Sequence, residues 1–115
     1  MEAGAFFARL KQIFKVEDLR HSDFTAGRML SRIALCGGAG AFLMQTAAQR
    51  GADCFITGEL HYHDWFESGD MLLAELGHYQ SEQYTIDLLC ERLSDACPGL
   101  RVVRTELLTD PIKHS

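Results

Sequence analysis

His78 and Glu82 stand four residues apart in Gly77-His78-Tyr79-Gln80-Ser81-Glu82, where a short apolar run gives way to a helical pattern. In an α-helix, positions i and i+4 lie one above the other, so an imidazole and a carboxylate at that spacing can converge on one ion. The same spacing suits a plain hydrogen-bonded pair, and spacing alone leaves both readings open. The row continues through Ile86, Leu89 and Leu93, which places Glu82 on an expected buried face. A carboxylate there must be paired, hydrogen-bonded or bound to a metal.

A second concentration is Thr57-Gly58-Glu59-Leu60-His61-Tyr62-His63-Asp64, with two carboxylates and two imidazoles in eight residues. His61 and His63 cannot face one ion unless the backbone turns between them. At least one of Glu59, His63 and Asp64 is expected in a pocket; the plainer alternative is an acidic cap on the helix that follows. A third is Gly37-Gly38-Ala39-Gly40. Its amides could accept an anion ahead of a helix, which makes Gly38 and Gly40 candidate lining. The glycines equally permit a tight turn. Position 43 is Leu and no Walker lysine follows, so neither dinucleotide nor P-loop fingerprint is present.

There is no G-x-S-x-G elbow, and none of Cys36, Cys54, Cys90 and Cys97 is next to a histidine. Metal-assisted chemistry fits the His, Glu and Asp inventory better, because a bound divalent ion polarises an oxygen or acidifies a water. The difficulty is number. His78 and Glu82 are two ligands where a catalytic zinc takes three.

The elements that would position these groups alternate. Ala5 to Phe14 carries Phe6, Phe7, Leu10, Ile13 and Phe14 at helical spacing, and residues 16 to 30 read as a connection with a short strand near Leu19. Ile33 to Cys36 reads as a buried strand, with a helix over Ala41 to Arg50. Asp53 to Ile56 is a second strand, followed by a short helix over His61 to Glu67. Met71 to Ala74 is a third, followed by a long helix over Tyr79 to Ala96 that Pro98-Gly99 ends. Leu100 to Arg104 supplies a fourth strand. The expected fold is a three-layer-like α/β lobe: a mostly parallel four-stranded or larger mixed sheet flanked by helices. Ligands of such sheets bind outside the carboxyl ends of the strands, where all three polar concentrations fall.

The length, 115 residues, suits one domain. Eleven basic residues against 16 acidic ones, net −5, with no basic cluster, make nucleic acid a poor partner. No apolar run reaches a membrane span. The cysteines show no C-x-x-C pair, as in reduced thiols of a cytoplasmic protein.

Taken together, the Gly-Gly-Ala-Gly turn, the Gly51 to Asp64 segment and Gly77-His78-Tyr79-Gln80-Ser81-Glu82 resemble the C-terminal part of the Nif-three-like dinuclear metal-centre proteins, also called GTP cyclohydrolase 1 type 2 homologs. The similarity runs from about residue 31 to Pro111. The resemblance implies an α/β lobe paired with an N-terminal lobe, two divalent ions between them, and a ring-shaped hexamer; mixed imidazole and carboxylate ligation admits zinc, manganese, iron or nickel. It makes His78 and Glu82 metal ligands, with Thr57, Glu59 and His63 lining the same cleft. The family's other ligands, a histidine pair and an aspartate, come from the N-terminal lobe, and no His-His pair occurs here. The chain is therefore expected to be a C-terminal lobe cut from a longer parent, with its first helix as the re-entry into that lobe. On this reading it is half of a metal-dependent hydrolase or cyclohydrolase acting on a nucleotide or other small molecule, inactive alone. The alternative is a binding or assembly module without catalysis.

Overall fold

Cys54-Phe55-Ile56-Thr57 is apolar or β-branched throughout, and it becomes the strand that is buried on both faces. In the computed structural model, which describes residues 1–115, this strand (β3, Cys54–Thr57) pairs in parallel with β2 (Ile33–Cys36) on one side and β4 (Leu72–Glu75) on the other. Cys54 faces Ile33 and Leu72, and Thr57 faces Cys36 and Glu75. The fourth strand is β1 (Arg20–His21), antiparallel to β4, giving the order β1-β4-β3-β2.

Strand alternation sends side chains to two cores. Cys54, Ile56, Leu72 and Ala74 meet Ala3, Phe7 and Leu10 of helix α1 (Ala3–Phe14), with Leu30 and Leu76. Phe55 and Leu73 meet Met44 and Ala47 of helix α2 (Met44–Gln49), with Leu60 and Met71 and with Trp65 partly buried against them. The result is helix, sheet and helix, as the alternation predicts. Glu2 caps α1 by accepting the Ala5 N–H at 2.9 Å, and that bond holds its carboxyl below the usual carboxylate range. Asp53 Oδ2 accepts the backbone N–H groups of Ser31 and Arg32, both at 2.7 Å, which ties the entry of β2 to β3. Those bonds, reinforced by the Arg28 and Arg32 guanidinium groups, also depress the Asp53 carboxyl. Burial pushes the Cys54 thiol up to about 12. All four cysteines are free thiols. No helix is long and apolar enough to cross a membrane.

The chain divides into two units, Met1–Glu82 and Gln83–Ser115. The second contains helix α4 (Thr85–Ala96) followed by irregular chain, and none of its residues is buried.

Five expectations change. The long helix from Tyr79 is two: α3 (His78–Glu82) ends at Gln83-Tyr84 and α4 begins at Thr85. Tyr84, Thr85 and Ile86 are aromatic or β-branched and lose side-chain freedom in a helix, which weakens the sequence there. The apolar row behind Glu82 is therefore interrupted; Leu89 and Leu93 are about half exposed, and so is Glu82. Leu100 to Arg104 forms no strand. The place beside β4 is taken by β1, because Arg20 pairs with Glu75 across the ladder and Ser22 exchanges bonds with Leu73 through N–H to O (3.0 Å) and N–H to Oγ (2.9 Å). Strand β2 lies at the sheet edge with Leu35 60% exposed, so it is not a buried strand. The helix expected over Ala41 to Arg50 opens as a 3-10 turn, Ala41–Leu43, before α2.

Candidate metal half-site

At the carboxyl ends of the three parallel strands the chain turns at Gly37-Gly38, at Gly58-Glu59 and at Gly77-His78. These turns are laced together. Gly58 N–H and Glu59 N–H both donate to the Gly38 carbonyl, at 2.8 and 3.1 Å, and Gly77 N–H donates to the Gly58 carbonyl at 2.9 Å. Thr57, fully buried, donates its hydroxyl to the Gly38 carbonyl at 3.0 Å and accepts the Gly40 N–H at 2.9 Å. Ser81 accepts the Gly38 N–H and donates to the His78 carbonyl, each at 2.9 Å. The amides of Gly38 and Gly40 are thus engaged within the turn by two side chains.

This lacing sets His78 between two carboxylates. Its Nδ1 lies 3.0 Å from Glu59 Oε1 and its Nε2 lies 3.2 Å from Glu82 Oε2. A neutral imidazole that gives its Nδ1 proton to Glu59 keeps a lone pair on Nε2, and that lone pair faces a carboxylate. Two electron-rich atoms at this distance repel unless a proton or a metal cation bridges them. A divalent ion about 2.1 Å from each donor, at an angle of roughly 90–109°, separates them by about 3.0–3.4 Å; the observed 3.2 Å falls inside that range. The donors fit a metal, and Glu59 stands where a carboxylate orients a metal-bound histidine from behind. Both side chains are about half exposed, so the outer side is open to further ligands. No group of three or more His, Cys, Asp and Glu side chains is arranged to hold an ion. The chain supplies two donors.

Gly38 is favoured here by its backbone, and a Cβ would also displace the ends of the two side chains beside it. Its φ is +68°, and a Cβ on it would stand 2.9 Å from Glu82 Oε1 and 3.2 Å from His78 Nε2. Gly58 is packed as tightly, its Cβ position lying 2.7 Å from the Gly38 carbonyl and 2.6 Å from Ser81 Oγ.

His78, Glu82, Glu59, Gly38, Thr57 and Gly40 are therefore joined by direct contacts. His63 is placed otherwise. It sits on the 3-10 helix Tyr62–Phe66, its Nε2 3.4 Å from Asp64 Oδ1, and its ring stacks on His61 with centroids 5.8 Å apart. The backbone does turn between the two histidines, because Asp64 Oδ2 accepts the His61 N–H at 2.7 Å and caps the turn. Sequence spacing does not mark Ser81 or Glu75 for the site. Glu75 Oε2 accepts the Leu60 N–H at 2.8 Å and Oε1 accepts from Arg20 at 2.7 Å, holding the Glu59-Leu60 backbone. Its only signal is a charge ending the Met71 to Ala74 apolar run.

The family model of Duf34/NIF3 (NGG1p interacting factor 3) matches residues 1–111, so the similarity includes α1 as well as the region from residue 31. The GTP cyclohydrolase 1 type 2 homolog of Streptococcus pneumoniae is 29% identical over 115 residues, covering 92% of this chain and 43% of the relative. That of Pasteurella multocida is 35% identical over 97 residues, covering 82% and 38%. The crystal structure of Staphylococcus aureus protein SA1388 superposes with a TM-score of 0.81 at 25% identity, covering the whole of this chain and 34% of the other. A Bacillus cereus protein related to NIF3 shares the fold with a TM-score of 0.79. The chain spans about two-fifths of the length of these curated relatives.

Proposed function

Given that the chain belongs to the Duf34/NIF3 family, we propose that it is the C-terminal lobe of a dinuclear metal-centre protein and carries half of the site in His78 and Glu82. The observation that supports this most is the placement of His78, backed by Glu59 at Nδ1 and facing Glu82 from Nε2. The remaining ligands come from an N-terminal lobe in the longer parent. The ions are zinc, manganese, iron or nickel, which mixed imidazole and carboxylate ligation admits.

When bound, such ions polarise a substrate oxygen and acidify a coordinated water, which suits a hydrolase or cyclohydrolase acting on a nucleotide or other small molecule. The chain's own residues do the positioning. Glu59 fixes the His78 tautomer, Ser81 locks the first turn of α3 onto the Gly38 turn, and Gly38 leaves room for both ligand side chains. The lobe alone is inactive, and the parent acts in the cytoplasm.

A non-catalytic assembly role is the second reading. The observation favouring it is the unit from Gln83 onward, where Leu88, Leu89, Leu93, Leu107 and Leu108 are all exposed, as on a surface that meets the N-terminal lobe or a second copy of the protein.

Metal analysis of this chain beside the longer Streptococcus pneumoniae relative, both purified without added metal, tests the proposal. It predicts two ions per chain in the relative and weak, substoichiometric metal here. Equal and tight metal in both would overturn the half-site.

A further inference from the structure

Strand β2 is the longer of the two free edges of the sheet. In the order β1-β4-β3-β2 its outer side has no neighbouring strand, and Ile33-Ala34-Leu35-Cys36 contains no charge and no proline. The opposite edge, β1, is two residues long and carries Arg20, a common protection of an edge against pairing. Ile33 and Leu35 are 37% and 60% exposed. Apolar side chains beside unpaired backbone N–H and C=O groups are a template for one more strand.

A groove of about 310 Å3 runs along this edge between β2 and α2. Buried Phe55 and Ala47 form its floor, with Leu43 and Thr46 on the helix side. Side chains on one face of an added strand would meet that wall, which supplies the selectivity that main-chain bonds lack. The groove's charge is one-sided. No acidic residue lines it, and its two cations, Arg32 and Arg50, stand together where β2 begins and α2 ends. Arg32 gives an N–H to the Arg50 carbonyl, whereas the exposed Arg50 guanidinium makes no hydrogen bond or ion pair.

We propose that β2 accepts an extended segment of a partner protein as a fifth strand, apolar along its length and acidic at its C-terminal end. Antiparallel addition, the more stable pairing, carries that end past Ile33 to Arg50. The segment's apolar side chains on one face lie over Leu43 in the groove. The inference uses neither His78 nor Glu82 and stands apart from the metal reading.

The probe is the acetylated peptide Thr-Val-Thr-Val-Thr-Glu-Glu carrying a fluorophore, followed by anisotropy at about 0.15 M salt, where distant charges are screened. It should bind saturably, and the same peptide ending in two lysines should bind roughly tenfold more weakly. The chain as a whole carries a net −5, so a preference for the acidic peptide marks the groove and not the general field. Arg50→Gln removes an exposed, unbonded guanidinium; it should melt as the parent chain does and cut that preference to about twofold. Two further peptides carry N-methyl groups on alternate amides. Only one set can face β2, so one peptide should lose at least about tenfold in affinity and the other should keep it. Absence of saturable binding, equal binding of the acidic and lysine peptides, or equal affinity of the two N-methyl peptides would overturn the proposal. So would a dimer of this chain that Leu35→Lys dissociates, since the edge would then belong to a second copy.

Discussion

Glu59 Oε1 lies 3.0 Å from His78 Nδ1 although the two residues are 19 apart in sequence and stand on different turns. The contact orients the imidazole so that its Nε2 faces Glu82. It depends on the hydrogen bonds that hold three strand-end turns together.

Gly38→Ala should cost about 1–3 kcal/mol, because a non-glycine residue is strained at φ +68° and its Cβ would press on Glu82 Oε1. The same change should displace the ligand pair and weaken divalent-metal binding by at least about tenfold. Urea unfolding and calorimetric metal titration read the two effects separately.

Ser81→Ala should destabilise by about 1–2 kcal/mol, since the Gly38 N–H loses its acceptor in a half-buried turn. Hydrogen exchange at the Gly38 amide should accelerate more than exchange in β3. Uniform acceleration would show that Ser81 only contributes to global stability.

Much of the sheet is legible in the chain because β2, β3 and β4 are apolar runs ended by glycine turns. Strand β1 is less so: Arg20 and His21 are two polar residues, and their partners Glu75 and Ala74 come more than 50 positions later. The His78 and Glu82 spacing is local and visible. Glu59 behind His78, Glu75 under Leu60 and the Ser81 bond to Gly38 are tertiary contacts with no periodicity to announce them. The apolar row behind Glu82 misled because periodicity persists across the break at Gln83-Tyr84, where propensity and not pattern ends the helix.

Asp53 should give the chain part of its acid sensitivity. Its folded carboxyl is depressed by the Arg32 and Ser31 N–H groups, so its contribution is complete above the ordinary aspartate value and is lost as pH falls through the folded one. Unfolding free energies measured from about pH 6 down to pH 2 should show a shallower acid limb in Asp53→Asn than in the parent chain.

Cys54 should behave in the opposite direction. Its folded thiol is raised to about 12 from an ordinary value of 9.0, so its contribution is present below the ordinary value and lost as pH rises toward the folded one. In the folded chain a thiol reagent should modify exposed Cys97 at once and reach buried Cys54 only on unfolding. Rapid native labelling of Cys54 would contradict the burial of β3.

The most direct test of the metal assignment is a cobalt titration followed by visible absorbance, on this chain and on its His78→Ala and Glu82→Ala variants. The parent chain should show weak, saturable binding with imidazole and carboxylate ligation, and each variant should weaken it by about tenfold or more. Cobalt binding of unchanged affinity and spectrum in the His78→Ala/Glu82→Ala double variant would show that the pair holds no metal.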